Sequence, residues 1–255
     1  MASSPTDLPV RIFRSMDGLD LAWRETGEGR PLVLIHGYFS NATTNWIRYG
    51  HAALLAAAGF RVIMPDLRAH GDSAKPHAPA AYPADILADD GFALVEQLGL
   101  TDYDLGGYSL GGRTALRMMV RGATPRRAVV AGMGLEGMVN AVGRGGFFRN
   151  VLTHLGSFPR GTSEWMTEAF LKTTKGDPVA LLGVLESFVD TPLAALAAAD
   201  RPLLVVSGSE DSDNGSSAAL AETLPDARFV EIPGNHMNAV THPELGRAIR
   251  DFLAA

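Results

Sequence analysis

Gly107-Tyr108-Ser109-Leu110-Gly111 is the stretch on which the reading of this chain turns. Tyr103-Asp104-Leu105-Gly106 before it has the character of a short strand, and Gly112-Arg113-Thr114-Ala115-Leu116-Arg117-Met118-Met119 after it that of a helix. A serine on a sharp strand-to-helix turn, with glycine two residues to either side, presents its hydroxyl for nucleophilic attack. The two glycines let strand and helix approach where a β-carbon would collide. By composition alone the five-residue pattern arises in roughly one of five or six such chains, so its surroundings have to carry the inference.

Working outward, Val10–Arg14 and Leu19–Arg24 alternate in polarity and are joined through Asp17-Gly18, which predicts an antiparallel hairpin. Pro31–Ile35, Phe60–Met64, Arg127–Ala131 and Pro202–Val206 are near-continuous aliphatic runs, as expected of parallel strands covered on both faces. Helical segments are predicted between them at Ala52–Ala58, Ala84–Leu98, Gly111–Arg121 and Ser216–Leu224. A last strand at Arg228–Ile232 precedes a helix over Pro243–Leu253. Alternating β and α units after an entry hairpin imply an α/β sheet with right-handed crossovers.

The alternation breaks once, between about Leu135 and Asp200. That stretch carries Phe147, Phe148, Phe158, Trp165, Met166, Phe170 and Phe188 among Gly and Pro interruptions. It predicts two to four helices inserted as a cap over the carboxyl edge of the sheet, so the expected division is residues 1–134 with 201–255 as core and 135–200 as cap.

Ligands of open α/β sheets bind beyond the carboxyl ends of the strands, and polar residues gather there. His36-Gly37-Tyr38, Asp66, Ser109, Asp211 and His236 each follow a predicted strand. Serine, carboxylate and histidine thus come in the chain order Ser109, Asp211, His236, which differs from the order in other serine hydrolase folds. A free hydroxyl attacks a carbonyl poorly unless a base takes its proton. His236 is the candidate base, and Asp211 the candidate acid that orients the imidazole. Asp213 and Glu136 stay open as rivals for the acid, and Ser109 could also serve as a plain helix cap.

With these residues in place, the chain resembles the α/β-hydrolase superfamily. The resemblance rests on His36-Gly37-Tyr38, Asp66-Leu67-Arg68-Ala69-His70-Gly71-Asp72-Ser73, Gly107–Gly112, Gly208-Ser209-Glu210-Asp211 and Gly234-Asn235-His236, which span nearly the whole chain in order. It implies a mostly parallel sheet with an N-terminal antiparallel hairpin, helices on both faces and a small helical cap after the sixth strand. It also implies an oxyanion hole from the backbone N–H groups of Tyr38 and Leu110, and structural parts for His36, His70, Asp66 and Arg68. The implied activity is hydrolysis of a small ester or lactone. Perhydrolases, carbon–carbon hydrolases and non-catalytic small-molecule receptors of the same fold are the alternatives. Tyr108, Phe147, Phe148, His154, Trp165 and Met237 are the candidate pocket residues. Arg113 and Arg117, four apart on the helix after Ser109, are expected to be solvated or paired, and His51, His77 and His242 to lie on the surface.

Composition bounds the rest. At 255 residues and 46% hydrophobic, the chain can bury a substantial core. A net charge of -6 with no Lys/Arg run argues against a nucleic-acid partner. The absence of cysteine excludes disulfides, thiolate metal sites and a Cys nucleophile. No metal or cofactor is expected, since zinc-ligand spacings, a phosphate loop and a dinucleotide fingerprint are all missing. Met1–Pro9 lacks the basic start and apolar stretch of a secretion signal, and no run reaches bilayer-spanning length. A cytoplasmic location without membrane contact is the expectation.

Overall fold

In the computed structural model, which describes residues 8–255, eight strands form one sheet in the order β1-β2-β4-β3-β5-β6-β7-β8. Met1–Asp7, part of the stretch read above for a leader, lies outside the described residues. The strands are β1 (Arg11–Arg14), β2 (Asp20–Thr26), β3 (Arg30–Ile35), β4 (Phe60–Pro65), β5 (Asp104–Tyr108), β6 (Ala128–Ala131), β7 (Leu203–Gly208) and β8 (Ala227–Ile232). β1 and β2 pair antiparallel and β2 joins β4 antiparallel. Every pairing from β4 through β3, β5, β6 and β7 to β8 is parallel. This is the α/β-hydrolase sheet, with the predicted hairpin at its edge.

The aliphatic runs behave as a doubly covered sheet requires. Side chains alternate along a strand, so Val33 and Ile35 enter one core cluster while Leu32 and Leu34 enter the other. Val205 and Val206 divide in the same way. One face is covered by α2 (Ile86–Gln97), α3 (Leu110–Val120) and α8 (Ser217–Thr223), and the other by α1 (His51–Ala57) and α9 (Pro243–Ala254). Between β6 and β7 the chain runs through α4 (Leu135–Val139), α5 (Gly146–Thr153), α6 (Ser163–Thr173) and α7 (Pro178–Glu186). Tyr38 ties this stretch to the sheet: its hydroxyl donates to the Leu181 carbonyl at 2.7 Å, and its ring meets Phe148 edge-on at 5.0 Å.

The turn after β4 is braced by buried charge. Arg68 is fully buried and grips Asp90 with Nε and Nη2 at 3.0 and 2.8 Å, while Nη1 reaches Asp17 at 2.6 Å. Asp66 accepts from Ala42 N–H, Asp72 N–H and Arg24. These side chains spend their hydrogen bonds on neighbouring loops. His36 and His70 do likewise, accepting at Nε2 from the N–H of Leu67 and of Phe39. Burial pulls their imidazoles down to about 4 and about 3, so both are held neutral.

One surface expectation is corrected. His51 is buried, with its Nε2 at 2.7 Å from the Val240 carbonyl. The cause is the close approach of α1 to α9, where a β-carbon at Gly246 would fall 2.8 Å from His51 Nδ1. His77 is exposed and pairs with Asp177.

Candidate active site

Ser109 stands between β5 and α3 with φ 53° and ψ -115°, a conformation that costs a non-glycine residue energy and persists only where its surroundings enforce it. Here the glycines enforce it by contact. A β-carbon on Gly107 would lie 2.3 Å from the Gly111 carbonyl carbon, and one on Gly111 would lie 2.1 Å from the Ile35 carbonyl oxygen. The turn can close only with glycine at both places. The Ser109 side chain makes no cap bond to α3, so the plain-cap reading falls. Its Oγ lies 2.9 Å from His236 Nε2 instead.

His236 sits in the turn after β8 and Asp211 in the turn after β7. Those turns abut: a β-carbon on Gly208 would fall 2.1 Å from the Gly234 carbonyl oxygen, which accepts from Glu210 N–H at 3.0 Å. Asn235 and Asn238 lock the histidine turn through bonds to neighbouring backbone N–H groups. His236 Nδ1 is 3.0 and 3.1 Å from the two carboxylate oxygens of Asp211. A proton on Nδ1 shared with that carboxylate leaves the Nε2 lone pair free to accept from Ser109 Oγ–H.

The rival acids are elsewhere. Asp213 is exposed, and its backbone N–H donates to Asp211 Oδ1 at 3.2 Å. Glu136 is exposed and accepts from Ser216 N–H at 3.0 Å. The Asp211 carboxylate, in contrast, is only 3% exposed and faces the imidazole.

Leu110 N–H is the first of α3 and has no acceptor within its helix, while the helix dipole makes its surroundings favourable for negative charge. Tyr38 follows Gly37, whose N–H is held by Asn45 Oδ1 at 3.0 Å, and precedes Phe39, whose N–H is held by His70. The loop bearing the Tyr38 N–H is thus pinned on both sides, and a β-carbon on Gly37 would stand 3.4 Å from Ser109 Cβ.

Two cavities meet at Ser109, and Tyr38 lines both. One, of about 80 Å³, runs past His236 to Tyr108, Phe170, Met237 and Val240. The other, of about 50 Å³, runs past Leu110 to Phe148, Phe188, Arg113, Arg144 and Asn214.

Of the predicted pocket residues, Tyr108 and Met237 line the first cavity and Phe148 the second. Phe147, His154 and Trp165 line neither, which corrects the reading for those three. Phe147 packs on the edge of Phe148 at 5.4 Å and points outward. His154 is exposed and bonds back to Asn150. Trp165 lies beside Arg160. Arg117 is paired with Asp85 at 2.6 Å as expected. Arg113 departs from the expectation: it is packed over the Phe188 ring at 3.6 Å and faces the second cavity. A polar residue one turn past the serine was the signal that could have found it.

The fold and this site together define the class. The chain belongs to the alpha/beta hydrolase family, whose model matches residues 32–246. It is similar to the dihydrolipoyllysine-residue acetyltransferase component of the acetoin cleaving system of Pseudomonas putida, at 34% identity over 90% of this chain and 65% of that protein. The chain spans less than two thirds of the length of the curated relatives it matches first. Among solved structures it is similar to a hydrolase from Pseudomonas aeruginosa PA01, with a TM-score of 0.79 at 24% identity over 96% of this chain and 98% of that one. It is also similar to the esterase RhEst1 from Rhodococcus sp. ECU1013, with a TM-score of 0.74 at 25% identity over 96% and 98% of the two chains. Among the described residues no helix is long and apolar enough to cross a membrane.

Proposed function

We propose that this chain is a serine hydrolase that cleaves a small carboxylic ester or lactone through an acyl-enzyme. The observation that carries the reading is the continuous line Ser109 Oγ, His236 Nε2, His236 Nδ1, Asp211, with contacts of 2.9 and 3.0 Å. Ser109 Oγ attacks the carbonyl carbon as its proton passes to His236 Nε2. Asp211 holds the productive tautomer and stabilises the imidazolium. The carbonyl oxygen, now an oxyanion, is received by the N–H groups of Tyr38 and Leu110, each worth roughly 3–4 kcal/mol of barrier. The bond to the leaving oxygen then breaks and that oxygen takes the proton from Nε2. Water repeats the cycle on the acyl-enzyme, giving its proton to His236 and releasing the acid with Ser109 restored. An esterase among the structural relatives fits this reading.

The test is labelling with a fluorophosphonate probe, followed by peptide mass spectrometry, alongside p-nitrophenyl acetate turnover. Ser109 is expected to carry the label, and Ser109→Ala to lose at least about 10⁴-fold in kcat. Unlabelled Ser109, or unchanged turnover in the variant, would overturn the proposal.

A further inference from the structure

The hydrolytic steps leave two charged side chains at the site without a task. Arg113 lies one turn past Ser109 in α3, its backbone N–H donating to the Ser109 carbonyl at 3.0 Å. Its guanidinium stacks over Phe188 at 3.6 Å, and the residue lines both the cavity that contains Ser109 and a neighbouring one that contains Asp85 and Arg117. Among the described residues no carboxylate is within ion-pair distance of it and its side chain makes no hydrogen bond, although Asp85 and Asp190 act on it from further away, whereas Arg117 one turn on is held by Asp85 at 2.6 Å. Arg144, from the short turn before α5, lines the same cavity and is likewise without an ion pair among the described residues.

An unpaired cation packed against apolar wall is unfavourable until an anion meets it. Burial pulls the Arg113 guanidinium down to about 10, against an opposing pull from Asp85, Tyr38 and Asp190. The Phe188 ring holds the guanidinium plane by a cation–π contact but leaves its N–H fork unsatisfied. That fork matches a carboxylate in bidentate fashion.

The site also says which part of a substrate would bring the anion. His236 returns its proton to the leaving oxygen, so the leaving group lies on the histidine side, in the cavity lined by Phe170, Met237 and Val240. The acyl group then extends past Leu110 toward Arg113 and Arg144. We infer that the preferred acyl group carries its own carboxylate, as in a half-ester of a short dicarboxylic acid, and that Arg113 with Arg144 anchors it. This inference rests on the ester-hydrolase reading above, extends it to a substrate class, and makes Arg113 a specificity-determining residue.

The experiment compares two esters matched in chain length, mono-p-nitrophenyl glutarate and p-nitrophenyl valerate, on wild type, Arg113→Met, Arg113→Lys and Arg144→Ala. The ratio of their kcat/KM values is the readout, because a merely structural role for Arg113 would lower both together. Wild type is expected to favour the glutarate ester. Arg113→Met is expected to cut the ratio at least about tenfold, mainly through KM for the charged ester, with partial recovery in Arg113→Lys. Arg144→Ala is expected to cut it severalfold. A wild-type preference for valerate, or a ratio within twofold of wild type in both Arg113 variants, overturns the inference. Should Arg113→Met fail to fold, the Lys variant and the wild-type preference still decide it.

If wild type cleaves neither ester, the hydrolase reading fails separately. Glutarate is then titrated by calorimetry against wild type and Arg113→Lys. Binding weakened about tenfold in the variant supports the anion anchor; absent or unaltered binding overturns it.

Discussion

The hydroxyl of Tyr108 donates to the carbonyl oxygen of His236 at 2.7 Å, so the residue just before Ser109 also holds the turn that carries the histidine. Their rings lie 5.6 Å apart, and Tyr108 is buried at the carboxyl end of β5. The serine and the histidine that faces it are thereby referred to one strand end. Tyr108→Phe keeps the ring and removes the bond. The expected result is a loss of about 1 kcal/mol in stability and a fall of about tenfold in kcat, since small displacements of a catalytic group are costly. Denaturant titration and steady-state kinetics measure the two, and wild-type kcat would mean that the histidine turn is held without Tyr108.

Asp211 and Asp213 are separated by their surroundings. Asp211→Asn should lose about 10⁴-fold in kcat with the fold intact, because an amide favours the wrong imidazole tautomer. Asp213→Asn should stay within a few-fold of wild type, since its side chain is exposed and takes no part in the contact to His236. A larger loss at Asp213 would reverse the assignment.

Arg68 and Asp90 form a buried bidentate pair under the β4 turn. Arg68→Met would strand the Asp90 carboxylate, which burial already pushes up. Breaking such a pair from one side typically costs about 3–5 kcal/mol. The urea midpoint should fall accordingly, and Arg68→Met combined with Asp90→Leu should recover part of it. Equal midpoints for wild type and the single variant would show the pair to be inert.

His36 and His70 give the fold an acid limit. Both are neutral in the folded protein, with values of about 4 and about 3, below the ordinary imidazole value of 6.5. Above about pH 6.5 neither folded nor unfolded chain binds these protons, and the full stability is present. As pH falls through 6.5 the unfolded chain takes them up first, so stability declines down to about pH 4 for His36 and about pH 3 for His70. The loss is on the order of several kcal/mol for the pair. Urea midpoints at pH 7 and pH 4.5 test this, and a flat profile over that interval would refute it.

Much of the site could be read from local rules. At Gly107 and Gly111 around the serine, and at Gly208 ahead of Asp211, backbone comes within 2.1 to 2.3 Å of a would-be β-carbon, and Gly234 ahead of His236 has φ 106° with Asn238 Oδ1 at 2.2 Å from that point. No other residue type fits there, and so the motifs are visible as residue letters. The aliphatic strands are visible for a similar reason, because a strand covered on both faces cannot alternate in polarity.

The wall of the cavity obeys no such local rule. Phe147 and Phe148 are adjacent on α5, and successive helical residues point about 100° apart, so packing could turn only Phe148 toward Ser109. Trp165 and His154 are equally plausible letters, yet α6 and the end of α5 direct them away from it. His51 is buried only because Gly246 lets α9 close on α1. Arg113 reads as a solvated or paired helical arginine until Phe188, distant in the chain, is found stacked on its guanidinium.

The chain's own residues therefore settle the sheet, the turn at Ser109 and the succession of Asp211 and His236, because those depend on contacts that only glycine permits and on burial repeated along a strand. Which acid faces the imidazole, which aromatics line the cavity past Leu110 and whether an arginine there is paired are decided by the tertiary structure. Those choices depend on how helices rotate and close upon one another, a property that no short stretch of sequence contains.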